Sequence, residues 1–212
     1  MAGDDTNGAD LPATGVTAVA LNLTVVPTGT TDSGFLTTYP DGVGKPSTSN
    51  LTYGGTTTAD AVIIPVGSDG KIDIFNDSDY AINLVGDLSG YFTTSTAGQY
   101  YHPLDSIRII DTRQTSALAS DTARSIVDPA SITADDPTLA VNITVVSPAD
   151  SGYLQVYPAS ATRPTASAIN FNSSQTIPNL ALVNTSDENA FAVFNNSAGT
   201  IQLVVDTSGY FS

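Results

Sequence analysis

Two aspartates and a group of arginines are the residues of this 212-residue sequence that could form ion pairs at defined positions. Asp87 and Asp206 each stand two residues before a Ser-Gly-Tyr-Phe tetrapeptide. The strand-like run Arg-Ile-Ile-Asp-Thr-Arg supplies Arg108, Asp111 and Arg113, with the last two on one face. A bidentate contact between arginine and carboxylate is strong and directional. We predict that these five residues form structural ion pairs; the alternative is that both aspartates only cap their Ser-Gly turns.

A second duplicated set favours ligand binding. Tyr39 and Tyr157 each precede a proline, and each is followed six residues later by a cation, Lys45 or Arg163. An aromatic ring near a loop, flanked by polar side chains, is a common way to bind a flexible polar ligand such as a sugar. These four residues therefore predict a glycan site. The alternative is that the tyrosines belong to the edge of the core and the cations only solubilise the surface, and the absence of tryptophan favours it.

Metal and enzyme sites have weaker support. Asp77 and Asp79 could hold a structural calcium ion, because clustered carboxylates suit a hard cation, but they fit no EF-hand pattern. The chain has no cysteine and one histidine, His102, which excludes thiolate chemistry and any site with two histidines. No Gly-x-Ser-x-Gly elbow accompanies His102, so we expect it to be a surface or packing residue. We predict no enzyme and, apart from calcium, no cofactor.

The charge balance restricts the partners. The sequence has 21 Asp and Glu against 6 Lys and Arg, a formal net charge of −15. Such a surface repels phosphate backbones and anionic lipids, so nucleic acid is not an expected partner. No apolar run approaches the roughly 20 residues of a spanning helix, so membrane insertion is not expected.

The chain repeats itself at an offset of 118–120 residues. The matching segments are Ala-Leu-Asn-Leu-Thr-Val-Val at 20–26 with Ala-Val-Asn-Ile-Thr-Val-Val at 140–146, Asp-Ser-Gly at 32–34 with 150–152, and Leu84–Phe92 with Leu203–Phe211. Alternating β-branched residues, short segments and frequent Gly, Asn and Asp turns predict strands. Residues 115–124 are the one candidate for a helical turn. The fold class is therefore all-β, as two tandem antiparallel β-sandwich modules, jelly-roll or immunoglobulin-like, related by internal duplication.

The predicted organisation has three parts. Residues 1–10 form an N-terminal tail, residues 11–94 form copy 1, and residues 95–212 form copy 2. Residues 95–134 have no match in copy 1 and are either the leading segment of copy 2 or a connection between the modules.

The motif order resembles a family of tandem β-repeats in secreted actinobacterial proteins. The residues that carry the resemblance are Tyr101-His102-Pro103-Leu104, Arg108-Ile109-Ile110-Asp111-Thr112-Arg113, Ser151-Gly152-Tyr153-Leu154-Gln155-Val156-Tyr157-Pro158 and Ser208-Gly209-Tyr210-Phe211. The family pattern reads Pro-x-Arg-Leu-Leu-Asp-Thr-Arg followed by Gly-Tyr-Phe. The resemblance implies a secreted, cell-surface location and a non-catalytic accessory role.

By the family pattern, copy 1 lacks its Asp-Thr-Arg segment. If that segment is a strand, copy 1 has an open sheet edge or borrows a strand, and open edges recruit other chains. The leading functional hypothesis is an extracellular module that binds polysaccharide or cell wall. The alternative is a structural spacer, or a self-assembling subunit that uses strand exchange at the open edge of copy 1, so its partner is itself.

Overall fold

The computed structural model describes residues 11–134, 137–185 and 189–212, and the predicted tail, residues 1–10, lies outside them. The chain divides into two compact units, Met1–Gly98 and Gln99–Ser212. The segment whose place the sequence left open, residues 95–134, contributes its strands to the second unit.

The described part of unit 1, residues 11–98, contains six strands in two antiparallel sheets. They are β1 (Val16–Pro27), β2 (Gly34–Pro40), β3 (Leu51–Tyr53), β4 (Thr58–Pro65), β5 (Ile72–Asp77) and β6 (Ile82–Thr93). One sheet has the order β4-β1-β6 and the other has the order β3-β2-β5.

Unit 2 repeats this arrangement and adds a strand to each sheet. Its elements are β7 (Tyr101–Asp111), a 3-10 turn (Thr112–Gln114), β8 (Thr122–Val127), β9 (Thr138–Val146), β10 (Gly152–Pro158), β11 (Ile169–Phe171), β12 (Ile177–Asn184), β13 (Ala190–Ser197) and β14 (Gln202–Phe211). The sheet orders are β12-β9-β14-β7 and β11-β10-β13-β8.

The helical turn predicted within residues 115–124 is wrong. The 3-10 turn comes earlier, at Thr112–Gln114, because the Asp111 carboxylate accepts a hydrogen bond from the backbone N–H of Arg113 and caps it. Leu118 instead forms a bridge with Ile201.

Apolar residues at every second position turn one face of each strand inward. Leu23 and Val25 of β1 are completely buried, and so are Val141, Ile143 and Val145 of β9. Each unit has one hydrophobic core, built from residues of both of its sheets. The predicted all-β class and the antiparallel sandwich modules are confirmed.

The matching strands β6 and β14 share a sequence pattern but differ in burial. Leu84 of β6 is 40% exposed, whereas Leu203 at the same place in β14 is 0% exposed. Val85 is 47% exposed and Val204 is 6% exposed. β14 lies between β9 and β7, while β6 is the last strand of its sheet among the residues described. The cause is that the described part of unit 1 has no counterpart of β7 or β8.

We expect Leu203→Ala to destabilise unit 2 by about 3 kcal/mol, because the change leaves a cavity in a closed core. Leu84→Ala, the matched change in unit 1, should cost under about 1 kcal/mol because much of that side chain is already in water. Amide hydrogen exchange of β9 and β1, followed against denaturant, reports the two units separately. Equal losses of stability for the two changes would contradict the finding that the Leu84 side chain is largely exposed.

Candidate functional site

In unit 2, strand β7 pairs with β14 and covers its edge. A β-carbon at Gly209 would lie 2.6 Å from the carbonyl oxygen of His102, and it would also overlap the phenol ring of Tyr101. The Tyr101 hydroxyl donates a 2.9 Å hydrogen bond to the carbonyl oxygen of Ser208, the bulged residue beside the glycine. The close approach of β7 therefore requires glycine at this position.

A bidentate ion pair joins the two strands farther along. Arg108 donates through Nε to one oxygen of Asp206 and through Nη2 to the other, the second at 3.2 Å. Its Nη1 also lies 3.5 Å from Oδ2 of Asp111. Arg113 donates to Asp111 at 2.8 and 2.6 Å, and these hydrogen bonds lower the pKa of Asp111 to about 2. Four of the five predicted ion-pair residues thus come together, and Arg113 pairs within its own segment.

The threonine of the Asp-Thr-Arg motif fixes the end of β7. The hydroxyl of Thr112 accepts a 2.7 Å hydrogen bond from the backbone N–H of Leu203 and lies 2.6 Å from Oε1 of Gln202. Because Thr112 is buried, these bonds form away from water and hold the 3-10 turn against the start of β14.

The fifth predicted ion-pair residue, Asp87, occupies in β6 the position of Asp206 in β14. Asp87 lies opposite Asn22, and Asp206 lies opposite the matching Asn142. Within the described ranges, no lysine or arginine pairs with Asp87. Partial burial without a compensating charge raises its pKa above the ordinary 3.8. Among the residues described, unit 1 therefore carries a carboxylate without a cationic partner, on the last strand of its sheet.

The two cations predicted to bind a ligand each lie over a phenylalanine ring. Nζ of Lys45 is 4.4 Å from the ring centroid of Phe75 and 3.1 Å from Oδ2 of Asp77. Cζ of Arg163 is 3.9 Å from the ring centroid of Phe194. A cation over an aromatic face is attracted by the quadrupole of the ring. Both positive charges are therefore engaged by groups of the chain itself.

Tyr39 and Tyr157 are half-buried near the ends of β2 and β10. They lie opposite Asp73 and Ala192 on the neighbouring strands. Polysaccharide binding through these rings stays a prediction.

The other sequence candidates are placed as follows. Asp77 is paired with Lys45, and in the described part of the chain no three acidic or histidine side chains gather as a metal site. A calcium ion at Asp77 and Asp79 stays a prediction.

The His102 ring stacks on Tyr210 with centroids 5.0 Å apart. Among the residues described, no helix has the length and hydropathy needed to cross a bilayer.

Comparison with known proteins identifies no family for the chain. No protein-family model and no curated protein sequence matches it. Among solved structures, it is similar to "Crystal Structure of the STIV MCP" at 7% identity and a TM-score of 0.30, over 94% of this chain and 90% of that one. It is also similar to "Structure of infectious bursal disease virus Gt strain" at 12% identity and a TM-score of 0.18, over 96% and 58%. Scores this low carry no argument about function.

Sequence reasoning did not single out two features of the edge. One is the anchoring role of Thr112, because its burial is visible only in the structure. The other is the pair of matching glycines, Gly90 and Gly209, which follow the duplicated serines. A glycine kept in both copies inside a strand was the available signal, because such glycines often mark a close backbone approach.

We expect Asp87→Asn to stabilise unit 1 at neutral pH by roughly a few tenths of a kcal/mol, a value reduced for solvent screening of the half-exposed group. Because burial raises the folded-state pKa of Asp87, its ionised form costs stability at high pH. The gain should shrink as pH falls through that raised pKa and disappear below the ordinary 3.8. Thermal unfolding monitored by amide exchange of β1 measures it.

The matched change Asp206→Asn should have the opposite sign. It leaves Arg108 without its bidentate partner and should destabilise unit 2 at neutral pH. Destabilisation of unit 1 by Asp87→Asn would show that Asp87 has a charged partner after all.

Proposed function

We propose that this chain is a non-enzymatic structural subunit that joins polypeptides by strand pairing at the open β6 edge of unit 1. The observation that carries the proposal is the contrast between β6 and β14. In unit 2, β7 pairs with the outer side of β14. In the described part of unit 1, no strand pairs with the outer side of the matching strand β6. The outer side of an edge strand offers backbone donors and acceptors to another chain, and β6 is twelve residues long.

The side chains of β6 support the proposal. Soluble proteins usually protect an edge strand with lysine, proline or a covering loop. The β6 sequence Ile-Asn-Leu-Val-Gly-Asp-Leu-Ser-Gly-Tyr-Phe-Thr contains neither lysine nor proline. Its exposed large apolar residues are Leu84, Val85, Leu88 and Tyr91. An added strand would remove this apolar surface from water, and such burial favours association.

The strand β5 has the same character in the other sheet of unit 1. β13 is paired with β8 in unit 2, whereas β5 is the last strand of its sheet in the part of unit 1 described. Phe75 of β5 is 42% exposed and the matching Phe194 is 8% exposed. An incoming segment that follows the course of β7 and β8 would close both edges, which supports a joining role over that of a simple spacer.

A secreted, cell-surface location fits this proposal. The repeat family that the sequence resembles implies that location, and a structural subunit could join polypeptides there. Polysaccharide binding is the weaker proposal. It depends on Lys45 and Arg163 facing a ligand, and both lie over phenylalanine rings.

Light scattering behind size exclusion tests strand pairing between chains. We expect the mass of the full chain to rise with protein concentration, and to rise more at high salt, which screens the net charge of −15. Val85→Lys places a charge on the edge and should hold the mass at that of the monomer.

Val43→Lys is the matched control, because Val43 is exposed to a similar extent (54% against 47% for Val85) but lies in the loop between β2 and β3. It should associate as the unmodified chain does. A monomeric mass for the unmodified chain at every concentration and salt would count against pairing between copies through β6.

A further inference from the structure

We infer that the strand accepted by β6 is of the β7 type, an extended segment of a partner polypeptide with Tyr and Arg seven positions apart, whose arginine binds Asp87. This inference rests on the proposed function and names the partner by its chemistry. The term donor strand is used below for such a segment, with the sequence of residues 99–115 as its example.

Charge complementarity is the first argument. In unit 2 the position of Asp87 is filled by Asp206, which receives two hydrogen bonds from Arg108 of β7. Asp87 lies opposite the matching asparagine, Asn22, but has no cation beside it within the residues described. An arginine on a donor strand in the β7 register would reach Asp87 as Arg108 reaches Asp206.

The second argument is the space above Gly90. At Gly209 an added β-carbon would collide with Tyr101 and His102, so glycine is required by the strand that crosses it. At Gly90 an added β-carbon would meet no atom of the described residues within 4 Å. Both glycines follow a bulged serine at the same place in the register. Unit 1 thus has the opening that a tyrosine of a donor strand would fill.

The third argument concerns the start of β6. In unit 2 the Thr112 hydroxyl accepts from the backbone N–H of Leu203, whose side chain is completely buried. The matching residue in unit 1 is Leu84, whose side chain is largely in water. A donor strand that ends in Asp-Thr-Arg would supply this threonine and cover Leu84.

A second copy of β6 is a poorer occupant than a donor strand. An antiparallel pair of β6 strands would bring together two acidic edges, each with Asp87 and no basic residue. The chain's own β7 is already paired with β14. Residues 1–10 contain no lysine or arginine. Pairing of β6 with a second copy is therefore the weaker mode, detected as growth of mass at high protein and salt concentration, and the stronger partner is a polypeptide that brings its own arginine-bearing strand.

Titration calorimetry of the full chain with a synthetic peptide of residues 99–115 tests the inference. We expect one peptide to bind per chain, with new amide protection in β6 and none in β14. Asp87→Asn should weaken binding on the order of tenfold, because a charge-assisted bidentate contact is lost. A chain with Asp87→Arg should regain affinity for a peptide with Arg108→Asp.

Gly90→Ala is a second probe that should leave the fold intact, because the added methyl group enters open space. It should weaken peptide binding on the order of tenfold or more, since the methyl group would meet the donor tyrosine and backbone. Gly44→Ala, also with open space around it but in a loop, is the control and should bind as the unmodified chain does.

The outcomes separate this inference from the proposed function. If the peptide binds equally well to the Asp87→Asn and Gly90→Ala chains, the inference that a β7-type strand binds β6 is overturned. The proposal that β6 is a pairing edge would stand. Failure of the peptide to bind, with growth of mass in light scattering, would overturn the inference and show that a second copy is the occupant. Failure of both would overturn the inference and the proposed function together.

Discussion

The pairing of β7 with β14 is the interaction on which the closed form of this fold depends. β7 completes one sheet, and after one 3-10 turn and a short connection the chain enters β8, which completes the other sheet. On the way Leu118 bridges to Ile201, and Ile126 of β8 enters the core. A single continuous segment therefore covers both sheets of the sandwich, and its contribution is cooperative because neither strand can leave without exposing the same core.

The scarcity of positive charge makes the placement of each cation informative. In unit 2, Arg108 and Arg113 serve the β7 segment, and Arg163 covers a core phenylalanine. In unit 1, Lys45 covers the matching phenylalanine at an exposed edge. These four cations thus lie beside a phenylalanine ring or a carboxylate. Within the described residues, Asp87 lacks the cation that its counterpart Asp206 has.

Much of the architecture could be predicted from the sequence because it depends on local patterns. Strand period, turn residues and the repeated segments are all visible along the chain. The bidentate contact between Arg108 and Asp206 lies within the predicted set because arginines are scarce in so acidic a chain and the aspartate stands at the same place in both copies. The partner of each group was less predictable, since it depends on register across strands far apart in sequence. For the same reason the contacts of Lys45 and Arg163 with phenylalanine rings were not foreseen.

The ends of unit 2 lie side by side. Tyr100 and Ser212 exchange backbone hydrogen bonds of 2.9 and 3.1 Å, so the first and last strands begin to pair where the unit begins and ends. Tension applied through these two ends acts across the β7–β14 ladder rather than along it. The hydrogen bonds then carry the load one at a time, starting beside Tyr101, instead of resisting together in shear. Under force, the β7–β14 ladder of unit 2 therefore opens from its terminal end, and the opening meets the ion pair of Arg108 with Asp206 farther along the strands.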